Sequence, residues 1–269
     1  MDIIHIAILA AAGLCAGSFF NVLIYRIPRA ESIAWPGSHC TACGYKIKAY
    51  ENIPVLSYIF LRGKCSGCKA PISIIYPLVE ILTAAALVLI WKFSGVTFAS
   101  SLPWYQNIVP LLKIVSLILL IPISVIDIRH YIIPDRFTLP FLALSLALSF
   151  IPGGLSPVQS FLGALCGGGS LLLLGIIGTY VLKKGDAMGM GDVKLMAYLG
   201  ALWGAKTALI GIAFGALLGS IIGGLLILSK NIGNEEHRIP FGPFLAAGTI
   251  ASVYWGDTLL QAYLRLIGM

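Results

Sequence analysis

The chain has 269 residues, 58% of them hydrophobic and only 11% charged, with a mean hydropathy of +0.94. A soluble domain carries roughly a quarter charged residues, so an ordinary soluble enzyme is excluded, as are a disordered chain, a collagen and a secreted disulfide scaffold. Eighteen Lys+Arg against eleven Asp+Glu leave a net charge of +7, which in a membrane chain sets orientation and does not mark a nucleic-acid binder.

The apolar run over about 3–27 has no basic segment before it and continues past the small residues at 10–13. It reads as a retained first span and not as a cleaved signal peptide. From 28 to 72 the composition changes abruptly, with Pro28, Pro36, Pro54, Pro71, four cysteines, a cluster of Lys and Arg, and no long apolar stretch. This is the one polar domain. The remainder, 73–269, holds apolar runs at about 73–93, 105–126, 137–151, 159–182, 193–204, 206–229 and 241–266, which makes eight spans with the first. At ~20 residues each, eight spans use ~160 residues and leave room for one compact appendage. Because 193–204 is short and only Gly204 and Lys206 divide it from the next run, that pair also reads as one broken or re-entrant element, which would make seven. Glycines every fourth residue at 211, 215, 219 and 223, and the cluster Gly163, Gly167, Gly168, Gly169, are expected to serve close helix packing and no chemistry.

With eight spans, the loops of one side hold fourteen basic residues, from Arg26, Arg29, Lys46, Lys48, Arg62, Lys64 and Lys69 through Arg129, Arg136, Lys183, Lys184 and Lys194 to Lys230 and Arg238. The other side holds Lys92, Lys206 and Arg265. The positive-inside bias therefore puts the cysteine domain and three charged loops in the cytoplasm, with both termini outside.

Four of the six cysteines fall as Cys40-x2-Cys43 and Cys65-x2-Cys68, with 21 residues between the inner pair. Two such knuckles can close a tetrahedral thiolate shell around zinc. Gly44 and Gly67 would allow the tight turns, and Lys64 and Lys69 would temper the thiolate charge. A reducing cytoplasm argues against the alternative, disulfides, though free thiols stay open, and His39 could substitute as a ligand. Four protein ligands leave no open position, so the metal would be structural. Cys15 and Cys166 lie in spans and read as packing residues. The expected fold is an all-α polytopic membrane protein of about eight transmembrane helices, with a small cytoplasmic zinc-ribbon-like insertion after the first.

Acidic residues near spans need a reason, because burying one costs ~2.5–3.5 kcal/mol even on the mildest scale. Asp127 ends an apolar run, and Asp192 sits in Gly189-Met190-Gly191-Asp192 at the start of another, both at the cytoplasmic boundary of the topology above. Brought together, two carboxylates could share a proton while one polarises a water, the aspartic-protease arrangement. Equally, Asp192 could cap its helix and Asp127 could pair with Arg129. Asp135, after Pro134, reads as an N-cap, and Asp186 as a solvated loop residue near enough to Asp192 to affect it. Glu80 could meet a basic or hydroxyl partner or serve substrate recognition.

These residues, with their flanks, resemble the type IV prepilin peptidases, membrane aspartic proteases of the GxGD type. The resemblance covers nearly the whole chain: Gly17-Ser18-Phe19-x-Asn21-Val22 and Tyr25-Arg26-Ile27-Pro28, the paired CxxC, Tyr76-Pro77-Leu78-Val79-Glu80, the Asp127 segment ending Ile133-Pro134-Asp135, Gly189 to Leu195, and Ile239-Pro240-Phe241-Gly242-Pro243. It implies a catalytic pair at Asp127 and Asp192, acting at the cytoplasmic face of the bacterial inner membrane. The substrates it implies are pilin and pseudopilin precursors of type IV pili or type II secretion, cut between a basic leader and the hydrophobic helix. It further implies methylation of the new N-terminus by S-adenosylmethionine, an activity for which residues 28–72 show no nucleotide-binding fold of their own. Glu80, Asp186, Glu235 and Glu236 are candidates to receive the leader's positive charge, and a loop over 183–191 to close on substrate. Competing readings are a GxGD protease for other membrane substrates, an ion-coupled transporter using Asp127, Asp192 and Glu80, and a scaffold docking partners through its cysteine module. The transporter requires midplane carboxylates and repeated halves, neither of which this pattern has.

Overall fold

The computed structural model describes residues 2–94, 107–181, 188–228 and 239–266. The expected loop closure over 183–191, and Asp186, Glu235 and Glu236, fall wholly or mostly outside them. Nine α-helices are present among the described residues: α1 (Ile3–Arg26), α2 (Leu56–Phe60), α3 (Ile75–Ser94), α4 (Ile108–His130), α5 (Asp135–Leu148), α6 (Pro157–Ile176), α7 (Met190–Trp203), α8 (Ala205–Leu228) and α9 (Gly242–Leu266). No strand forms there, only two isolated bridges. The chain divides into two compact units, Met1–Thr97 and Phe98–Met269.

In the first unit α1 packs along α3. Gly17 makes the close approach possible, since a Cβ there would fall 2.6 Å from the Glu80 Cα. The helices bury Phe20, Leu23 and Ile24 against Val79 and Thr83, and the Asn21 amide donates to the Tyr76 carbonyl (3.0 Å). Two of the sequence motifs, Gly17 to Val22 and Tyr76 to Glu80, therefore meet at one helix contact.

In the second unit α6 packs on α7 and α8 on α9, while α5 also lies on α7 and α4 on α9. The glycine rows do what close packing requires in lipid: Gly163, Gly167 and Gly168 face α7, and Gly211 and Gly215 face α9. Helix α7 is short, but Leu195, Met196, Tyr198 and Leu199 are almost completely buried, so it is enclosed by neighbours. The two runs that begin at 193 and 206 fall on separate helices, α7 and α8. Gly204, at φ +92° and ψ 164°, breaks them in a conformation that a side chain would strain.

Five helices are long and apolar enough to cross a membrane: those over Ile3–Arg29, Ile75–Phe93, Ile108–His130, Pro157–Tyr180 and Ala205–Leu226. At 14 residues each, α5 and α7 reach ~21 Å, short of a ~30 Å hydrocarbon core. The chain is a multi-pass membrane protein.

Candidate active site

Asp127 lies in the last turn of α4, which ends where Tyr131 turns left-handed (φ +55°) and donates its N–H to the Asp127 carbonyl (2.8 Å). The Asp127 side chain is 5% exposed and makes no ion pair with Arg129. Its Oδ2 instead accepts the Gly242 N–H at 2.8 Å. The reason lies in α9: a helix start carries unsatisfied N–H groups, Pro243 has none to offer, and Gly242 presents the one that points at the carboxylate. A Cβ at Gly242 would sit 2.7 Å from the same oxygen.

Asp192 is the third residue of α7, 9% exposed, and its side chain does not cap the helix. Its Oδ1 is buried with no hydrogen-bond partner among the described residues. The two carboxylates are near enough for the charge of Asp127 to act on Asp192. Ile133 explains how they are held: its side chain meets the positions of both Gly191 (2.9 Å from a Cβ built there) and Gly242 (3.2 Å). Asp135 is not the expected N-cap. It is the first residue of α5, with Pro134 in the cap position, and both its oxygens accept from Lys194 Nζ at 2.8 Å, which ties the turn after α4 to the start of α7. Sequence reasoning missed the roles of Gly242, Ile133 and Lys194. The only signal for them was the motif each lies in, because their function is contact between residues 58 or more apart in the chain: Ile133 with Gly191 and Gly242, Lys194 with Asp135, and Gly242 with Asp127.

The four cysteines converge in the first unit. All four Sγ atoms lie within 4.8 Å of one another, Cys40 and Cys68 at 3.9 Å. A tetrahedral zinc shell with Zn–S of ~2.3 Å needs sulfurs about 3.8 Å apart, so the set fits the ion. The knuckles are copies of each other. Cys40 N–H donates to the Tyr45 carbonyl and Gly44 N–H to that of Cys40, both at 2.9 Å, and Cys65 and Lys69 repeat the pattern with Ala70 and Cys65 at 2.9 and 3.0 Å. The left-handed position is Gly44 (φ +72°) in the first but Lys69 (φ +61°) in the second. Gly67 therefore does not serve the turn as expected; it leaves room for the Tyr45 ring, 3.0 Å from a Cβ built there. The amides of Ala42 and Cys43 hold the Cys40 thiol down at about 7. His39 is engaged with the Gly37 carbonyl (3.0 Å) and is not in the cluster. Cys15 is exposed on α1 and does not fill a helix contact.

Glu80 resolves to a backbone partner. Its Oε2 accepts the Val55 N–H at 2.7 Å, and Ser18 and Asn21 also hydrogen-bond it. Val55 carries φ +61°, rare for a β-branched residue, and the carboxylate pins that turn.

A polytopic helical membrane protein with two buried aspartates at facing helix ends and a separate four-cysteine cluster is a narrow class. Residues 11–93 match the family model described as Bacterial Peptidase A24 N-terminal domain, and 114–226 that of the Type IV leader peptidase family. Among curated relatives, the "Prepilin leader peptidase/N-methyltransferase" of Pseudomonas putida is 33% identical over 98% of this chain and 95% of its own. Its namesake in Aeromonas hydrophila is 35% identical over 93% and 91%. That of Myxococcus xanthus (strain DK1622) is 38% identical over 81% of this chain, which spans 62% of that longer relative. No solved structure matches. The chain belongs to the type IV prepilin leader peptidase/N-methyltransferase family.

Proposed function

We propose that this protein is an aspartic endopeptidase of the bacterial inner membrane that removes the basic leader from type IV prepilins and pseudopilins at the cytoplasmic face, then N-methylates the new N-terminal residue. What carries the reading is the pair Asp127 and Asp192, 65 residues apart in sequence and buried beside one another on two different helices, within a chain of this family. One aspartate takes a proton from water as the water adds to the scissile carbonyl. The other, protonated, donates a hydrogen bond to that carbonyl oxygen and passes its proton to the departing amine. The two act as a coupled pair, so no private role is assigned. The Gly242 amide anchors one oxygen of Asp127, and the unpaired Asp192 Oδ1 is free to face the water or the carbonyl.

Residues 28–72 form the cytoplasmic zinc module in this reading. Cys40, Cys43, Cys65 and Cys68 would hold structural zinc, closed on all four sides and taking no part in the cut. S-adenosylmethionine would supply an electrophilic methyl to the new amine. Residues 1–27 are the first span and 73–269 the peptidase domain. Eight crossings are reached by adding α5, α7 and α9 to the five long apolar helices, with α7 enclosed by protein and so freed from the need to span lipid alone. An ion-coupled transporter is not favoured, since Asp127 and Asp192 stand at helix ends and not at mid-span.

The test is mass spectrometry of a prepilin incubated with purified protein and S-adenosylmethionine, beside Asp127→Asn and Asp192→Asn. Wild type should remove the leader and add 14 mass units to the product, by the chemistry of one methyl for one hydrogen. Each variant should cut ~100-fold or more slowly. Leader removal undiminished in both variants would sink the assignment.

A further inference from the structure

The polar module is not held clear of the two helices that flank it. Both α1 and α3 are long and apolar enough to cross a membrane, and they touch where a Cβ built on Gly17 falls 2.6 Å from the Glu80 Cα. Gly17 lies nine residues before Arg26, so α1 runs on for roughly 13 Å past that contact; Glu80 lies five residues after Ile75, so α3 starts about 7 Å past it. Yet the Val55 N–H reaches down to the Glu80 carboxylate at 2.7 Å. The turn into α2 therefore hangs one glutamate side chain from a level inside both spans. A cavity beside α1 shows the same descent, since its α1 wall runs from Arg26 to Cys15 and its other wall is the loop over 33–38 with Asn52 and Pro54.

What the chain carries at that depth is apolar. Leu56, Ile59 and Phe60 stand at i, i+3 and i+4 of α2 and so share one face. All three are exposed, Phe60 at 81%, as is Ile53 just before them. Left in water, such a patch is a liability. The charge beside it has one sign: no acidic residue falls between Glu51 and Glu80, whereas Arg62, Lys64 and Lys69 are exposed and form no ion pair among the described residues. An apolar face with cations next to it is the make-up of a segment lying in a membrane interface.

We propose that residues 53–60 are seated in the headgroup layer of the leaflet on the module's side, with Leu56, Ile59 and Phe60 against the first acyl carbons and Arg62, Lys64 and Lys69 on the phosphates of anionic phospholipid. Only the name of that leaflet, the cytoplasmic one, depends on the topology above. An interfacial helix buries its apolar face ~5–10 Å into the boundary of headgroups and acyl chains, which is the depth that the Glu80 tether gives when counted from the start of α3. A prepilin fits the patch less well, because the basic leader expected of it would be repelled by the three cations. A second copy of this chain brings the same three cations and is repelled likewise. The module is then a membrane-surface element, fixed by α1, by α3 and by its own apolar turn.

The experiment places the photoreactive residue benzoylphenylalanine at position 60 of the full-length protein, in nanodiscs of phosphatidylcholine and phosphatidylglycerol in equal parts, and identifies the adducts by mass spectrometry after irradiation. The same probe at position 89, where Leu89 is exposed in the middle of α3, reports what a lipid-facing residue gives and that the first unit is inserted. Position 60 should form phospholipid adducts at a yield within about threefold of position 89, with the anionic lipid enriched at least about twofold over its share at 89. In Arg62→Asn with Lys64→Gln that enrichment should vanish while the yield at 89 holds; asparagine is chosen because position 62 is left-handed (φ +52°). Labelling at 89 without lipid adducts at 60 overturns the proposal. So does cross-linking of position 60 to a second copy, or to added prepilin, in place of lipid. Anionic enrichment that survives the double variant overturns the assignment of the headgroups to these cations. None of these readouts depends on cleavage or methylation, so failure of the proposed function leaves the result intact.

Discussion

At the scale of single residues, the aspartate site depends on what surrounds the carboxylates as much as on the carboxylates. Gly242 supplies an N–H to Asp127 and, lacking a Cβ, leaves space for the carboxylate to accept it. Gly242→Ala puts a methyl 2.7 Å from Asp127 Oδ2, with the Ile133 side chain 3.2 Å away to limit relaxation. Displacing the carboxylate at a cost of ~1–3 kcal/mol predicts leader removal slowed roughly 10- to 100-fold. Initial cleavage rates would check this, with thermal unfolding expected to shift by only a few degrees. A variant cutting at the wild-type rate would show that the amide contact does not matter to the chemistry.

At the scale of elements, the contacts that position the site run through small residues. Helices α6 and α7 touch backbone to backbone where Gly163 meets Gly200, and Ser160 Oγ donates to the Ala201 carbonyl (2.7 Å) one turn away. Gly163→Val has nowhere to put its side chain. It should force the helices apart and destabilise the second unit by ~2 kcal/mol or more, read as a lower unfolding midpoint in detergent. The cysteine knuckles are a different case, short turns whose four sulfurs already converge and would be tied together by the proposed metal. Wild-type protein should carry about one zinc per chain, and Cys43→Ser or Cys68→Ser should lose most of it by elemental analysis. Retention of a full equivalent by both would rule out the four-thiolate shell.

At the scale of the whole molecule, the claim is a topology. In the proposed topology the fourteen basic residues of one set of loops, and with them the cysteine cluster and the aspartates, lie on the cytoplasmic side. Val158, at the first turn of α6 and 68% exposed, then faces the other side. In a background without Cys15 and Cys166, Val158→Cys should react with a membrane-impermeant maleimide in intact spheroplasts. The tetrad should react only after permeabilisation and chelation. The reverse pattern would invert the orientation and remove the cytoplasmic cut with it.

What the sequence determined alone follows from local physics. Hydropathy and charge made this a polytopic membrane chain, since apolar runs of span length cannot be buried otherwise. The CxxC pairs marked a candidate metal-ligand set because each knuckle brings two sulfurs together within four residues, and motif order singled out Asp127 and Asp192 as the candidate pair before any geometry. Tertiary structure alone decided the long-range pairings. Asp135 reads as a cap from its neighbours, yet a lysine 59 residues on takes both its oxygens, since an ion pair offers more than a cap that Pro134 already displaces. Glu80 could have met any cation, but the backbone turn at Val55 reaches it first. Gly242 was one letter of a motif until α9 aimed its free N–H at a carboxylate 115 residues earlier. Sequence patterns report spacing along one helix or turn; which ends of separate helices meet is set by how their small and large faces pack.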